Sequence, residues 1–481
     1  MIEMTLAEVA EITGGTLAAA DPAARVTGAV EFDSRAVGPG GLFAAFVGER
    51  ADGHDFAPQA VAAGAVAVLG TRRLHGVPMV LVDDPLAALG ALARAVVDRL
   101  PELTVIGLTG SSGKTTTKDL LAQAVARLGP TVAPAGSFNN ELGHPYTALR
   151  ADGHTRFLVL EKGARGLGHI AHLCRVAPPR IGVVLNVGVA HIGEFGSADA
   201  IAQAKGELVE ALPADGAAVL NLDDARVAGM ARRTRARVVG YGTGDDQPLA
   251  ADRYLRAAEV VLDEFGRPSY TLVTVDGVGS RREVPVSLRL VGEHQVGNTL
   301  AVAAVLGELG VALPEVAEML GELRPVSPRR MDVVERDDGV TLIDDSYNAN
   351  PASVAAALRA LAAVGGGRRR TVAVLGYLAE LGDHEQAGHQ QVGRLAAELG
   401  VDLVVVVGQA AAPIHDAARG TGKWEGDSVL VADQEQAVAL LAERLRPGDV
   451  VLVKGSRYQT WQVADQLREA GAVVTAQEAA Q

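Results

Sequence analysis

The stretch TVIGLTGSSGKTT, Thr104 to Thr116, decides the fold of this chain. An apolar run meets a turn of glycine and serine, and Lys114 then opens an amphipathic run, so a glycine-rich turn joins a buried strand to a helix. Backbone N–H groups of Gly110, Ser111, Ser112, Gly113 and Lys114 can converge on a polyphosphate, and the helix dipole favours its charge. Lys114 can reach the outer phosphates, Thr115 supplies a hydroxyl suited to magnesium, and Thr116 completes the motif. Position 108, where the usual GxxxxGK[ST] spacing puts its first glycine, is leucine. The loop therefore starts at Gly110 and is tighter than usual, which points to a subset of phosphate-loop enzymes that use ATP or GTP.

Working outward, strands such as RFLVLEKG, RIGVVLNV and AAVLNLD alternate with helical stretches, the pattern of a mainly parallel sheet. Between Asp252 and Leu290 the pattern becomes alternating residues broken by FGRPS and DGVGS, expected as antiparallel hairpins at an edge of that sheet. LRPVSPRRM, with Pro325 and Pro328, is the linker candidate, and VTLIDDS, TVAVLG, LVVVVG and DVVLVKGS follow it with helices between them. The fold class is α/β with three expected domains: a small N-terminal α/β domain over 1–100, a central phosphate-loop domain over 101–323, and a Rossmann-like domain over 324–481. In the last, Gly376, Gly408 and Gly455 fall at strand ends, where ligands of such sheets bind.

The 481 residues, 48% hydrophobic and 21% charged, are those of an ordinary globular protein. A net charge of -14 argues against a nucleic-acid surface, so any anionic substrate must be met by local cations. Cys174 alone permits no intramolecular disulfide, the first residues are acidic where a signal peptide would be basic, and the apolar runs are too short to span a bilayer. A cytoplasmic monomer, with neither nucleic acid nor membrane as partner, is expected.

Several polar residues follow apolar strands. Glu161 ends FLVLE in the same sheet as the phosphate loop, where a carboxylate can complete a magnesium shell. Asn186 and His191 lie in LNVGVAHIGEFGS after another buried strand, so His191 can face the same pocket. Asn139 and Asn140 in SFNNELG offer paired amides for a polar substrate, though amide pairs also form ordinary turns. DDSYNANP, Asp344 to Pro351, packs two carboxylates, a tyrosine and the amides of Asn348 and Asn350 at a strand end, with Asn350 equally placed to cap the next helix. Lys205, from its local context alone, reads as a solvent lysine.

Together these residues carry a family likeness. DSR at Asp33 to Arg35, GERADGHDF, TGSSGKTT, SFNNELG, NVGVAHIGEFGS, GEHQVGNTLA, DDSYNANP, LGYLAELGD and VKGSR span nearly the whole chain, which resembles the Mur ligases of peptidoglycan synthesis. The resemblance implies three domains that bind, in order, a UDP-sugar, ATP and an amine. It implies amide formation with ATP cleavage to ADP and phosphate, through an acyl phosphate, in the branch that adds D-alanyl-D-alanine to a UDP-N-acetylmuramoyl tripeptide. By the same resemblance Lys114, His191 and Lys205 are catalytic. Thr115 and Glu161 bind one magnesium, His191 helps with a second, and Lys205 matches a lysine that several members carbamylate. Asn298, Arg330 and Asp345 match residues that contact ATP across the domain boundary, with a hinge near Arg324 to Met331, and Ser34 and Arg35 match the UDP-binding loop.

Some positions depart from the family pattern: Lys162 for methionine, which adds a charge beside the metal site; Arg329 for glycine; His144 and Tyr146 for apolar residues; and Tyr377 with Leu378. They fall where the family meets its acceptor or dipeptide. They leave open a paralogue that couples another amine, such as D-alanyl-D-lactate, another dipeptide or an amino acid, in resistance or antibiotic biosynthesis. A nucleotide switch is the reading from another class, but the guanine-reading NKxD of a GTPase is absent.

Overall fold

The computed structural model describes residues 1–188, 192–244, 251–456, 459–470 and 473–474. Its framework is mixed α/β, with three main sheets met in turn along the chain.

The first is five-stranded, in the order Thr16–Ala18, Met79–Leu81, Ala67–Gly70, Leu42–Ala44, Val30–Glu31, with only the first strand antiparallel. The second has nine strands, in the order Arg281–Ser287, Pro268–Asp276, Arg253–Leu262, Arg237–Gly242, Ala217–Asn221, Ile181–Val184, Thr104–Thr109, Phe157–Glu161, Thr131–Val132. From Arg253–Leu262 onward all neighbours are parallel, and the two outer strands pair antiparallel as hairpins. Parallel strands buried on both faces read as continuous apolar runs, which is why IGVV and FLVLE were legible. The third sheet runs Asp427–Val431, Leu403–Val407, Thr371–Leu375, Val450–Lys454, Thr341–Asp344, Asp332–Arg336, Val473–Val474, the last two strands antiparallel to their neighbours.

Two placements set up the site. Thr104–Thr109 lies between Ile181–Val184 and Phe157–Glu161, so the phosphate loop leaves the sheet flanked by the strand ends that carry Glu161 and Asn186. In the third sheet, Thr341–Asp344 lies beside Val450–Lys454, so Asp345 and Lys454 leave adjacent parallel strands side by side. Both are carboxyl ends of parallel strands, where open α/β sheets bind ligands.

Candidate active site

The loop after Thr109 turns through Gly113, whose φ of 78° lies in the left-handed region and whose Cβ position is 2.8 Å from Asn298 Oδ1. A side chain there would be strained and would strike Asn298. The helix Lys114–Ala126 then begins without a side-chain cap, so its first-turn amides are free to meet an anion. Not every loop amide is free. Ser111 N–H and Ser112 N–H donate to Asn186 Oδ1 at 2.9 and 2.8 Å, and Asn186 Nδ2 donates to Ser112 O. Of the amides from Gly110 to Lys114 expected to converge on a polyphosphate, those of Ser111 and Ser112 are thus met by Asn186 in this structure. Asn186 binds the middle of the loop, and the uncapped helix start follows it.

Thr115 Oγ1 donates to Glu161 Oε2 at 2.9 Å and accepts from Arg330 Nη2 at 3.3 Å. Glu161, almost wholly buried, also accepts from Asn139 Nδ2 at 2.7 Å. Arg330 lies 4.1 Å from the ring centre of Tyr347, whose hydroxyl is 2.6 Å from Ser137 Oγ. The phosphate-loop and DDSYNANP segments thus meet over one cavity of about 200 Å³. Its lining runs from Ser111 through Thr116 and includes Asn298, Arg330, Asp345, Asn348 and Asn350. Two buried polar atoms of lining residues, Arg330 Nε and His294 Nδ1, have no partner among the described residues. What fits a polyphosphate nucleotide is the cavity's own donor set: the uncapped start of the helix Lys114–Ala126, with Lys114, Arg330 and Lys454 in the lining.

Lys114 Nζ is folded back onto Gly110 O at 2.8 Å. Burial lowers its pKa, Glu161 opposes the shift and Arg330 adds to it. Lys205 is not a solvent lysine: it is buried, and burial together with the Lys114 charge lowers its pKa to about 7. The sequence carried the signal. Ile201, Ala204, Lys205, Leu208 and Val209 are spaced as one helical stripe, and all are buried. Lys205 shares a second cavity, about 290 Å³, with Lys114, Phe138, Asn139, Asn140 and Arg165. His191 lies outside the described residues.

In the third sheet, Lys454 Nζ contacts Asp345 Oδ2 and donates to Asn348 O at 2.9 Å, while Met331 N–H donates to Asp345 Oδ1 at 3.2 Å. Lys454 stands within the VKGSR segment, but neither it nor His294 was singled out. A lysine at the end of the buried strand Val450–Lys454 was the available signal. Asn350 caps the helix Pro351–Gly365 in a reciprocal bond with Ser353, and Asn140 Oδ1 accepts from Gly143 N–H at 2.8 Å in a turn. Both amides are thus at least partly spent on local structure. Ser34 and Arg35 are not brought to this cavity. Ser34 is buried and bonds Gln59, while Arg35 is exposed and pairs with Asp33.

The departures also find their places. Lys162 does not add a charge beside Glu161: the chain alternates faces at the strand end, and Lys162 is buried among His144, Leu173 O and Ala177 O. Arg329 has φ 59°, in the left-handed region that favours glycine, and its guanidinium is held by Asp465 and lies over Trp461. Tyr146 donates to Glu31 at 2.7 Å, and Tyr377 donates to Glu385 at 2.6 Å.

Comparison with known proteins accords with this geometry. Residues 26–96 match the Mur ligase family catalytic domain, 108–306 the Mur ligase middle domain, and 329–457 the Mur ligase glutamate ligase domain. The chain is 49% identical to the UDP-N-acetylmuramoyl-tripeptide--D-alanyl-D-alanine ligase of Mycobacterium tuberculosis, covering 95% of this chain and 96% of that one. It is 37% identical to the enzyme of that name from Escherichia coli, over 95% and 96%. Among solved structures, MurF from Acinetobacter baumannii superposes with a TM-score of 0.84 at 30% identity, covering 97% and 99%. MurF from Thermotoga maritima in complex with ADP gives 0.77 at 30% identity, over 92% and 98%. Three family domains in series and near-complete coverage at this identity leave one reading: the chain belongs to the Mur ligase family.

Proposed function

We propose that this protein joins D-alanyl-D-alanine to the terminal carboxylate of a UDP-N-acetylmuramoyl tripeptide, with cleavage of ATP to ADP and phosphate. The observation that carries this reading is the single cavity where the phosphate-loop helix start meets DDSYNANP, in a chain alike over its whole length to ligases of that name. No observation favours a different amine, since Lys162 and His144 lie behind the sheet and Tyr377 is tied to Glu385.

In this reading the domains 1–100, 101–323 and 324–481 take the UDP-sugar, ATP and dipeptide in turn. The tripeptide carboxylate attacks the γ-phosphate to form an acyl phosphate and ADP. The dipeptide amine then adds to the acyl carbon, loses its proton, and phosphate leaves. Little covalent chemistry falls to the protein, whose work is positioning and charge neutralisation. The first-turn amides of the phosphate-loop helix and Lys114 hold the phosphates, Asn298 meets the nucleotide from beside the loop, where its Oδ1 accepts from Thr117 Oγ1 at 3.2 Å, and Arg330 and Asp345 close on it from across the cleft. Gly110 to Thr116 shape the cradle, Asn139, Asn140, Asn348 and Asn350 line the substrate side, and Ser34 and Arg35 serve the UDP end.

Magnesium would be held by Thr115 and Glu161, a hydroxyl and carboxylate already paired, and a second ion by His191 and a carbamylated Lys205. The ions would neutralise phosphate charge. A lysine whose pKa is near 7 is half neutral at physiological pH and can add carbon dioxide, becoming an oxygen ligand. Among the described residues no three His, Cys, Asp or Glu side chains cluster, so this donor set depends on Thr115 and the modified lysine. No helix among them is long and apolar enough to cross a membrane. A cytoplasmic monomer, working without nucleic acid or membrane, completes the reading.

ADP release measured with tripeptide and dipeptide, singly and together, tests the function. Turnover needing both supports it; hydrolysis indifferent to both would replace it with a nucleotide switch.

A further inference from the structure

On the face of the sheet away from the cavity, behind Phe157–Glu161, lies a buried polar pair that the reaction does not use. Lys162 and His144 are both 0% exposed. Lys162 Nζ lies 2.8 Å from His144 Nε2, and donates to Leu173 O at 3.3 Å and Ala177 O at 3.4 Å. Three acceptors match the three donors of an ammonium. If Nε2 accepts, the ring proton is on Nδ1, which is buried and has no partner among the described residues. The two carbonyls come from the last turn and C-cap of the helix His169–Val176, whose dipole end favours a cation.

The neighbours of this pair in sequence are the residues that the cavity needs. Lys162 follows Glu161, and His144 sits in the short helix Gly143–Ala148 just after Asn139 and Asn140. On the cavity side Asn139 Nδ2 donates to Glu161 Oε1, and Gly163 N–H donates to Asn139 O at 2.9 Å. His144 N–H donates to Asn140 O at 3.0 Å, which ties the helix back to the amide pair. Two segments without strand pairing to each other are thereby fastened on both faces of the sheet. We propose that the Lys162–His144 pair is a positioning device that sets Asn139 against Glu161 and, through Glu161, the Thr115 hydroxyl. This rests on the proposed function only in taking ligation as one readout.

A pair that merely filled the core would change stability and leave turnover untouched well below the unfolding temperature. Lys162→Met strands His144 Nε2, and His144→Leu deprives the ammonium of an acceptor. Each variant is expected to unfold at lower temperature and, well below that temperature, to show kcat reduced about 10- to 100-fold, with ADP affinity by calorimetry unchanged. Replacing both partners by apolar groups can be nearly neutral, so the double variant recovers most of both losses. His144→Gln keeps an acceptor and stays near wild type, and it provides the comparison with His144→Leu should Lys162→Met not fold. Single variants with normal kcat and only lowered melting temperature would overturn the proposal. So would losses that simply add in the double variant, or His144→Gln impaired as deeply as His144→Leu. A wild-type protein that ligates nothing would instead overturn the proposed function, while coupling of the melting losses still reads the pair.

Discussion

Two cationic regions of this molecule are built in opposite ways. Around the phosphate loop, Lys205 and Lys454 are taken out of water and Lys114 is half-buried, and burial lowers the pKa of each. Their partners come from remote segments: Glu161 for Lys114, and Asp345 with Asn348 for Lys454. In the Asp33–Arg35 turn the guanidinium side chain is 81% exposed and its partner is two residues away. A buried, shared charge acts through the whole site, whereas an exposed local one is screened and nearly independent of the rest. The first region should therefore fail as a unit and the second by degrees.

The contrast would break first at Lys114. Lys114→Ala should lower kcat by about 10²–10³-fold or more, the scale of removing one positioned charge at a transition state, while the fold persists by circular dichroism. Comparable turnover in the variant would remove the phosphate loop from the chemistry.

Lys205 comes next. Lys205→Ala should lose about 10²-fold in kcat from misplaced groups, and a carbamate signal from ¹³C-bicarbonate should be present in wild type and absent in the variant. The lysine also marks stability. Its pKa is about 7 folded against lysine's ordinary 10.5, so between these pH values the unfolded chain binds more protons and stability rises with pH. In bicarbonate-free buffer, where Lys205 carries its free amine, Lys205→Met should flatten that rise in melting temperature from pH 7 to 10; an unchanged slope would mean the amine is not buried.

Lys454→Met should leave Asp345 without its cation. Removing one partner of a buried pair costs roughly 3–5 kcal/mol, and Asp345 is partly open, so the lower end is expected. A shift in the denaturant midpoint measures it. Asn350→Ala should cost about 1 kcal/mol, the worth of a helix cap, with a further rise in dipeptide KM if the amide also meets substrate. Smallest is Arg35→Ala: KM for the UDP-tripeptide should rise severalfold, more at low salt, with no change in melting temperature or in KM for ATP.

How much of this was legible in the sequence divides along the same line. The phosphate loop, the parallel strands and the edge hairpins were readable because each is a local pattern: an apolar run, a glycine turn, an alternation. Glu161 was a candidate because it ends an apolar strand, and Asp345 stood in the polar cluster after another, its ATP contact being implied only by the family resemblance. The burial of Lys205 was written in the helical stripe that holds it, yet a lysine on an apolar face does not say whether it snorkels to water or is enclosed. Asn186 bonding the loop amides, and Lys162 turning away from Glu161 toward His144, depend on contacts 74 and 18 residues apart, which no local pattern encodes.

The most direct test follows the oxygen. With ¹⁸O in the terminal carboxylate of the UDP-tripeptide, ligation through an acyl phosphate must carry one label into the released phosphate, and mass spectrometry of that phosphate reads it. The expected result is labelled phosphate formed together with the D-alanyl-D-alanine adduct, and no adduct without ATP. Unlabelled phosphate alongside that adduct, or phosphate release with no adduct at all, would contradict the assignment of this cavity as a carboxylate-activating ligase site.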